Sequence, residues 1–345
     1  MKEFGSDFHF VDSVFTHQGN SFDIYPDSFL LADGRLCILA LIQQYGWKRI
    51  WMPEYFCYNI IEYLRLRSGI EVVFYVDYPG NDDEKIISSL NFRDGDVLLR
   101  MNYFGFRAFR SEKSVPIPVI EDHSHDIIGD WAMRSDADWC IASLRKIIPI
   151  PEGRVLWSPK GLSYDIHLDQ SLSNITLSQN RWKAMELKGE YLKGDIEEKE
   201  LFRSLFIETE DAFDFLDLSA IDMRSKNYIE HFDISNWYKF KRRNWDILRR
   251  LDSNKGIEVF SPESKNLNPF SFVLLFDKEE KRERVRKKMI ESSIYPAVLW
   301  NIPDDANDMV RNFSKRMLSI HCDGRYTEKD VEELYNKINF IIQND

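Results

Sequence analysis

The chain has 345 residues, 43% of them hydrophobic and 30% charged, with a formal net charge of −11. At about 150 residues per domain that length implies two domains, and the apolar fraction is enough for a large core. The acidic balance excludes a general nucleic-acid surface, and four cysteines at 37, 57, 140 and 322 form no metal or redox spacing, as expected in a reducing cytoplasm.

At the N-terminus, Lys2, Glu3 and Asp7 surround no apolar segment, so the start does not read as a signal peptide. The longest apolar runs, such as Leu36 to Ile42, fall far below the roughly 20 residues that cross a bilayer. A soluble cytoplasmic protein without membrane contact is expected, and no internal repeat or low-complexity tract is visible. Residues 1–30 are rich in aromatics without a period and read as an arm packing on another surface. From Gly34 the pattern alternates: helix to Tyr45, strand Arg49 to Met52, helix Tyr58 to Ser68, strand Glu71 to Val76, helix Asp83 to Leu90, strand Asp96 to Met101. Alternation at this spacing predicts a parallel sheet covered on both faces. The β-branched run from Val115 to Ile120 predicts a buried strand ending at Glu121 and Asp122, and Trp139 to Leu144 predicts another.

Beyond about Asp165 the chain is charged and helical, with amphipathic segments at Asn180 to Leu192 and Glu197 to Leu216. A helix from Trp237 to Leu251 is expected to link two domains. The last hundred residues predict strand Phe270 to Phe276, helix Lys278 to Ser292, a Pro-containing loop to Pro303 and helix Thr327 to Ile342, which suits a small α+β domain. The basic run Lys278 to Lys288 alternates with glutamates and reads as a solvated helix face. The expected division is an arm at 1–30, a large domain at 31–235 and a small domain at 236–345.

The chemistry concentrates between Glu121 and Gly153. Ligands of open α/β sheets bind at the carboxyl ends of strands, which is where Asp122 stands, and the next strand brings Ser143 and Lys146 to the same edge. A lysine among apolar residues (Ile147 to Pro151 follow it) is costly to bury unless it is paired or its pKa falls. A depressed pKa would make Lys146 a nucleophile toward an aldehyde. A carboxylate opposite such a lysine suggests pyridoxal phosphate, whose ring nitrogen a carboxylate can hold protonated. His123 and His125, flanked by Asp122 and Asp126, also raise a divalent metal site, but no further His or Cys supplies an obvious third ligand, and no metal is expected.

Asp122-x-x-His125, a strand, Ser143-x-x-Lys146 and Pro151-Glu152-Gly153 resemble the DegT/StrS-type sugar aminotransferases, members of the aspartate-aminotransferase (fold type I) group of pyridoxal phosphate enzymes. Asp33-Gly34-Arg35 is similar to the family's phosphate-binding turn, Met52 to Cys57 to its next strand end, Gly69 to Asp77 to the following strand, and His321 to Tyr326 to its C-terminal signature. The resemblance covers residues 30–160 and, more loosely, the last third. It implies an α/β, aspartate-aminotransferase-like fold, with a mostly parallel sheet in the large domain and a smaller α+β domain. It implies Lys146 as the Schiff-base lysine and general acid/base, Asp122 on the pyridinium nitrogen, His125 donating to the phenolic oxygen and Gly34 at the phosphate. A ring-stacking residue is implied within Tyr55 to Tyr58, of which Phe56 has suitable chemistry. Asn102 and Tyr103 end another strand on the substrate side. A homodimer with shared sites is implied, as are an amino acid donor such as glutamate and a nucleotide-linked keto-sugar acceptor in polysaccharide or amino-sugar biosynthesis.

The sequence departs from the family at three places. Arg35 stands where a small hydroxyl residue usually follows the glycine, and its guanidinium can bind phosphate or point elsewhere. Ser143 lies nearer the lysine than the family's phosphate-binding hydroxyl. Arg154 follows Gly153 where a second glycine is common. Other chemistry on the same fold, such as sugar dehydration, remains open, as does a non-catalytic descendant, although Lys146 and Asp122 are both kept. Ser143-x-x-Lys146 also matches the serine–lysine pair of penicillin-recognising enzymes, but their companion motifs are absent. So is a glycine-rich dinucleotide fingerprint.

Overall fold

The computed structural model describes residues 2–11, 25, 27–81, 83–165, 168–251, 255–262 and 268–345. It begins with β1 (Phe4–Gly5), β2 (Phe29–Leu31), α1 (Gly34–Tyr45), β3 (Arg49–Pro53), α2 (Tyr58–Ser68), β4 (Glu71–Tyr75), α3 (Asp83–Ser88) and β5 (Asp96–Met101). There follow β6 (Val119–Asp122), α4 (Asp130–Arg134), β7 (Trp139–Ser143), β8 (Arg154–Trp157), α5 (Leu172–Lys193), α6 (Glu200–Ala212), α7 (Met223–Glu230) and α8 (Ile234–Leu248). The chain ends with β9 (Ile257–Val259), β10 (Phe272–Phe276), α9 (Glu279–Glu291), β11 (Ile294–Tyr295), α10 (Asp308–Arg316), β12 (Met317–Ile320) and α11 (Glu328–Gln343).

Seven strands form the central sheet in the order β2-β8-β7-β6-β5-β3-β4. Strands β3 to β7 pair in parallel, whereas β8 runs antiparallel to both β7 and β2. Every residue of β3, β5, β6 and β7 is buried, as strands covered on both faces require. Helix α1 is buried from Gly34 to Ile42 and ends where Gly46, at φ 64, donates its N–H to the Ile42 carbonyl. The left-handed turn at Gly69 (φ 66) ends α2 in the same way.

Helix α8 contributes to two apolar clusters. Its Trp237 and Tyr238 pack with Trp182 and Ile148, while Trp245 and Leu248 pack with β10, α9 and α11. Strands β12, β10 and β9 make an antiparallel sheet in that second cluster. Of the aromatic N-terminal segment, β1 pairs with β11, Phe4 joins the second cluster, and Phe10 packs edge-on against Trp182. Of the expected arm at 1–30, residues 1, 12–24 and 26 lie outside the described residues.

Several elements differ from the sequence expectation. Helix α5 starts at Leu172 and not at Asn180, because the Ser171 side chain accepts from the Asn174 N–H and caps a polar first turn. Helix α8 stops at Leu248, three residues before Leu251. The expected strand from Val115 begins only at Val119. Helix α10 and β12 lie between Pro303 and Thr327, where the sequence reading assigns no element. Among the described residues no helix is long and apolar enough to cross a membrane.

Candidate active site

The carboxyl ends of β3, β5, β6 and β7 meet the start of β8 and of α1 at one sheet edge, where ligands of such sheets bind. A cavity of about 210 Å³ opens there, lined among others by His125, Arg145, Lys146, Arg181, Phe270 and Trp300. Lys146 closes a single helical turn directly after β7. That turn is tied down on both sides: Leu144 donates to the Gly153 carbonyl at 2.9 Å, and the Trp237 indole donates to the Ile147 carbonyl at 2.8 Å.

Among the described residues the Lys146 amino group makes no hydrogen bond or ion pair. It lies 5.5 Å from the centre of the Trp300 ring. Burial lowers its pKa, and Cys57 and Asp122 offset this only in part. The amino group is therefore held toward its neutral, nucleophilic form.

His125 is buried with its ring stacked on Phe270, centroids 4.2 Å apart and planes 15° apart. Its Nδ1 accepts the Phe104 N–H at 2.9 Å. Burial first, and Lys146 next, push its pKa well below the usual value, so the ring is neutral. With Nδ1 an acceptor, the proton sits on Nε2, a buried atom with no partner among the described residues. The turn behind it depends on Gly105, at φ 68, where a Cβ would come within 2.5 Å of the Asn268 carbonyl oxygen.

Asp122 ends β6, and each of its oxygens accepts one hydrogen bond. Oδ1 accepts the Ser124 N–H at 2.8 Å, and Oδ2 accepts Arg154 Nη2 at 2.6 Å. Burial raises its carboxyl, but Arg154, Ser124 and Lys146 outweigh that and hold it below the usual carboxylate range. Arg154 opens β8 between Leu31 and Ser143. Its guanidinium lies so close to Gly34 that a Cβ there would meet Nη1 at 1.6 Å.

Arg35 is turned away from the cavity. Its Nε donates to Asp33 at 2.9 Å, and its Nη1 pairs with Asp214. Asp33 also accepts the Arg35 N–H at 3.0 Å, so the start of α1 already has a carboxylate on it. Phe56 is buried in the main core with its ring 6.0 Å from that of Trp300. Ser143 is buried, its N–H donating to the Ser124 hydroxyl at 2.9 Å. Tyr103 donates its hydroxyl to the Tyr55 carbonyl at 2.8 Å, while Asn102 is buried with Oδ1 unpartnered among the described residues. Lys146 and His125 thus share one cavity, Asp122 and Gly34 share Arg154, and Arg35 and Phe56 belong to neighbouring packing.

The one group of potential metal ligands among the described residues is Glu121, His123 and Cys140, and His125 is not in it. These side chains already bond one another: His123 Nε2 lies 2.8 Å from Glu121 Oε2, and the Trp131 indole donates to Glu121 Oε1 at 2.8 Å. Residues that the sequence reading did not single out complete the cavity. Trp300 comes from irregular chain with no local signal, and Phe270, expected to open a strand, lies just before β10, which begins at Phe272. Arg145 and Arg181 are bridged by Glu210, with contacts of 2.9 and 3.0 Å. Only Arg145, next to the lysine in an apolar stretch, was open to notice.

No protein-family model matches the chain, and no curated protein matches it. Solved structures do. PseC of Helicobacter pylori, an aminotransferase involved in the biosynthesis of pseudoaminic acid, superposes with a TM-score of 0.64 at 11% identity, covering 100% of each chain. The chain has the fold of this aminotransferase. Two further matches agree. Bacillus subtilis ntda with bound cofactor PMP has a TM-score of 0.60 at 12% identity, over 92% of this chain and 74% of that one. DesI in the presence of its TDP-sugar product has a TM-score of 0.59 at 13% identity, over 91% and 80%.

Proposed function

We propose that the chain is a pyridoxal phosphate-dependent aminotransferase that moves an amino group from an amino acid to a nucleotide-linked keto-sugar. The observation that carries this is that the Lys146 amino group and the His125 Nε2–H, neither with a hydrogen-bond partner among the described residues, line one cavity at the carboxyl edge of the sheet. Those groups fit the cofactor at its reactive end: an amine for its aldehyde and a donor for its phenolic oxygen. At the other end Asp122 is bonded by Arg154, whose guanidinium also fills the space over Gly34, and neither Asp122 nor Gly34 lines the cavity. The cofactor would supply the electron-withdrawing ring that lets an amino-bearing carbon lose a proton.

The chain's own residues do the rest. Lys146, kept toward neutrality by burial, takes a proton at Nζ and returns it. His125 holds its donor fixed, because Phe104 occupies Nδ1 and Phe270 fixes the ring plane. Phe270 and Trp300 exclude water from one wall, and Arg145 with Arg181 gives another wall positive charge suited to an anionic substrate.

Glutamate as donor, a homodimer with shared sites, a cytoplasmic setting, a role in polysaccharide or amino-sugar biosynthesis and a division near residue 235 belong to the same proposal. Its support is the motif resemblance and the fold shared with sugar aminotransferases. The test is the visible absorption of the protein with pyridoxal phosphate. A band that borohydride abolishes and glutamate converts to the amine form is expected. Cofactor binding with no response to any amino acid donor would overturn the aminotransferase reading.

A further inference from the structure

Arg145 and Arg181 line the same cavity as Lys146, and Asp7 supplies the one carboxylate among its described lining residues. Arg145 precedes Lys146 in the single helical turn after β7, and Arg181 comes from α5. Both guanidinium groups lie over the ring of Phe213, 4.4 and 5.2 Å from its centre, so one aromatic ring holds both independently of any anion. A carboxylate already sits between them. Glu210 of α6 accepts Arg145 Nη2 on Oε1 at 2.9 Å, and its Oε2 accepts Arg145 Nη1 at 3.2 Å and Arg181 Nη1 at 3.0 Å. The arginine side chains are 18% and 5% exposed and that of Glu210 is 51% exposed, so the cations are fixed and the anion can swing into water. Donors also remain open. Neither Arg145 Nε nor Arg181 Nε has a partner among the described residues. Arg181 Nη2 makes no hydrogen bond among them and faces Asp7 Oδ1 at 3.9 Å.

We infer that Arg145 and Arg181 form a carboxylate-binding subsite of this cavity, with Glu210 as an internal competitor that a carboxylate of the amino acid donor displaces. Only the identity of that ligand as a donor rests on the aminotransferase reading. The bridge to Glu210 displays the recognition, because two planar guanidinium groups spread their donors over both oxygens of one carboxylate. Burial first, and Arg145 next, lower the Arg181 pKa, and Glu210 and Asp7 offset this only in part. The pair is therefore short of negative charge even with Glu210 in place. A half-exposed ion pair contributes little, so releasing Glu210 to water costs little, and the arginines stay on Phe213 to receive the incoming anion. Neutral ligands gain nothing from the exchange. The subsite thus selects substrates that carry a carboxylate within reach of Lys146.

The test uses the full-length protein without cofactor and glutarate, a dicarboxylate with no amine to condense. Calorimetry compares its affinity for the wild type, Glu210→Gln and Arg181→Met, with inorganic phosphate as comparator. Trapping of Lys146 by acetaldehyde and borohydride reports whether the bound anion lies in the cavity. Glutarate should bind Glu210→Gln about threefold to fivefold more tightly than the wild type, and Arg181→Met about tenfold more weakly. It should slow trapping in the wild type and more so in Glu210→Gln, with phosphate binding less tightly. Equal affinities in the wild type and Glu210→Gln overturn the inference, as does glutarate binding that leaves trapping unchanged. Phosphate binding more tightly than glutarate overturns it too, because the pair would then be a phosphate site. Should Arg181→Met not fold, protection of Lys146 in the other two proteins decides. An imine between Lys146 and pyridoxal phosphate without any glutarate effect overturns this inference alone. Glutarate protection in a protein that forms no such imine overturns the cofactor reading alone.

Discussion

The Lys146 amino group stands 5.5 Å from the centre of the Trp300 ring, which also stacks on His125 with planes 18° apart. An aromatic from the last fifty residues therefore covers both reactive groups of the sheet edge. Its negative face favours the ammonium form of the lysine by roughly 0.5–2 kcal/mol, against the burial that lowers the lysine's pKa. Trp300→Leu should move the titration of Lys146 to still lower pH. The pH profile of trapping by a small aldehyde and borohydride reads this directly, and an upward displacement would contradict it.

The Asp122–Arg154 pair is buried, so losing one partner strands the other. Arg154→Ala should cost about 3–5 kcal/mol of stability, whereas Asp122→Asn combined with Arg154→Met should recover most of it. Denaturant midpoints of the single and double variants make the comparison. Equal losses in both would mean that the charges do not depend on each other.

Asp126, next to His125, has a carboxyl that burial pushes up to about 7, against the opposing pull of Lys241 and of backbone N–H groups. In the unfolded chain it titrates near 4. Between those values the folded protein holds a proton that the unfolded chain has lost, so Asp126 makes stability fall as pH rises through that window. Asp126→Asn should remove the fall, and melting temperatures at about pH 5 and 8 should then lie closer together than in the wild type. An unchanged separation would place the proton elsewhere.

Glu210 behaves in the opposite sense. Burial raises its carboxyl, but Arg145 and Arg181 outweigh this and bring it down to about 2. Its stabilisation is complete above about 4.3 and is lost as pH falls toward about 2. Because its side chain is 51% exposed, the effect is small, about 1 kcal/mol or less. Glu210→Gln should flatten acid unfolding slightly and free two arginines in the cavity wall, which tighter binding of a carboxylate ligand would report.

Much of the fold was legible because its punctuation is local. Helices α1 and α2 match their expected limits, since Gly46 and Gly69 supply the left-handed ends that an L-residue resists. The alternation of short apolar strands with helices led directly to the parallel sheet. Helix α10 was not legible, because only Val310, Phe313 and Ser314 face inward along a charged segment and β12 follows without a break. At the site, the strand-end positions of Asp122 and Lys146 follow from pattern. The Arg154 contact with Asp122 does not, since it joins residues 32 positions apart through strand register. The same holds for Trp300 and Phe270, which reach His125 only through the packing of the C-terminal third.

The central claim is that Lys146 is the amine that engages an aldehyde in this cavity. Another lysine, Lys241, is also buried with a lowered pKa and lies 5.1 Å from the Phe270 ring, so the claim has a definite competitor inside the molecule. The most direct measurement treats the native protein with pyridoxal phosphate and borohydride and maps the modified peptide by mass spectrometry. A single adduct on Lys146, absent from Lys146→Ala, is the predicted result. An adduct on Lys241, or one that survives Lys146→Ala, would contradict the account.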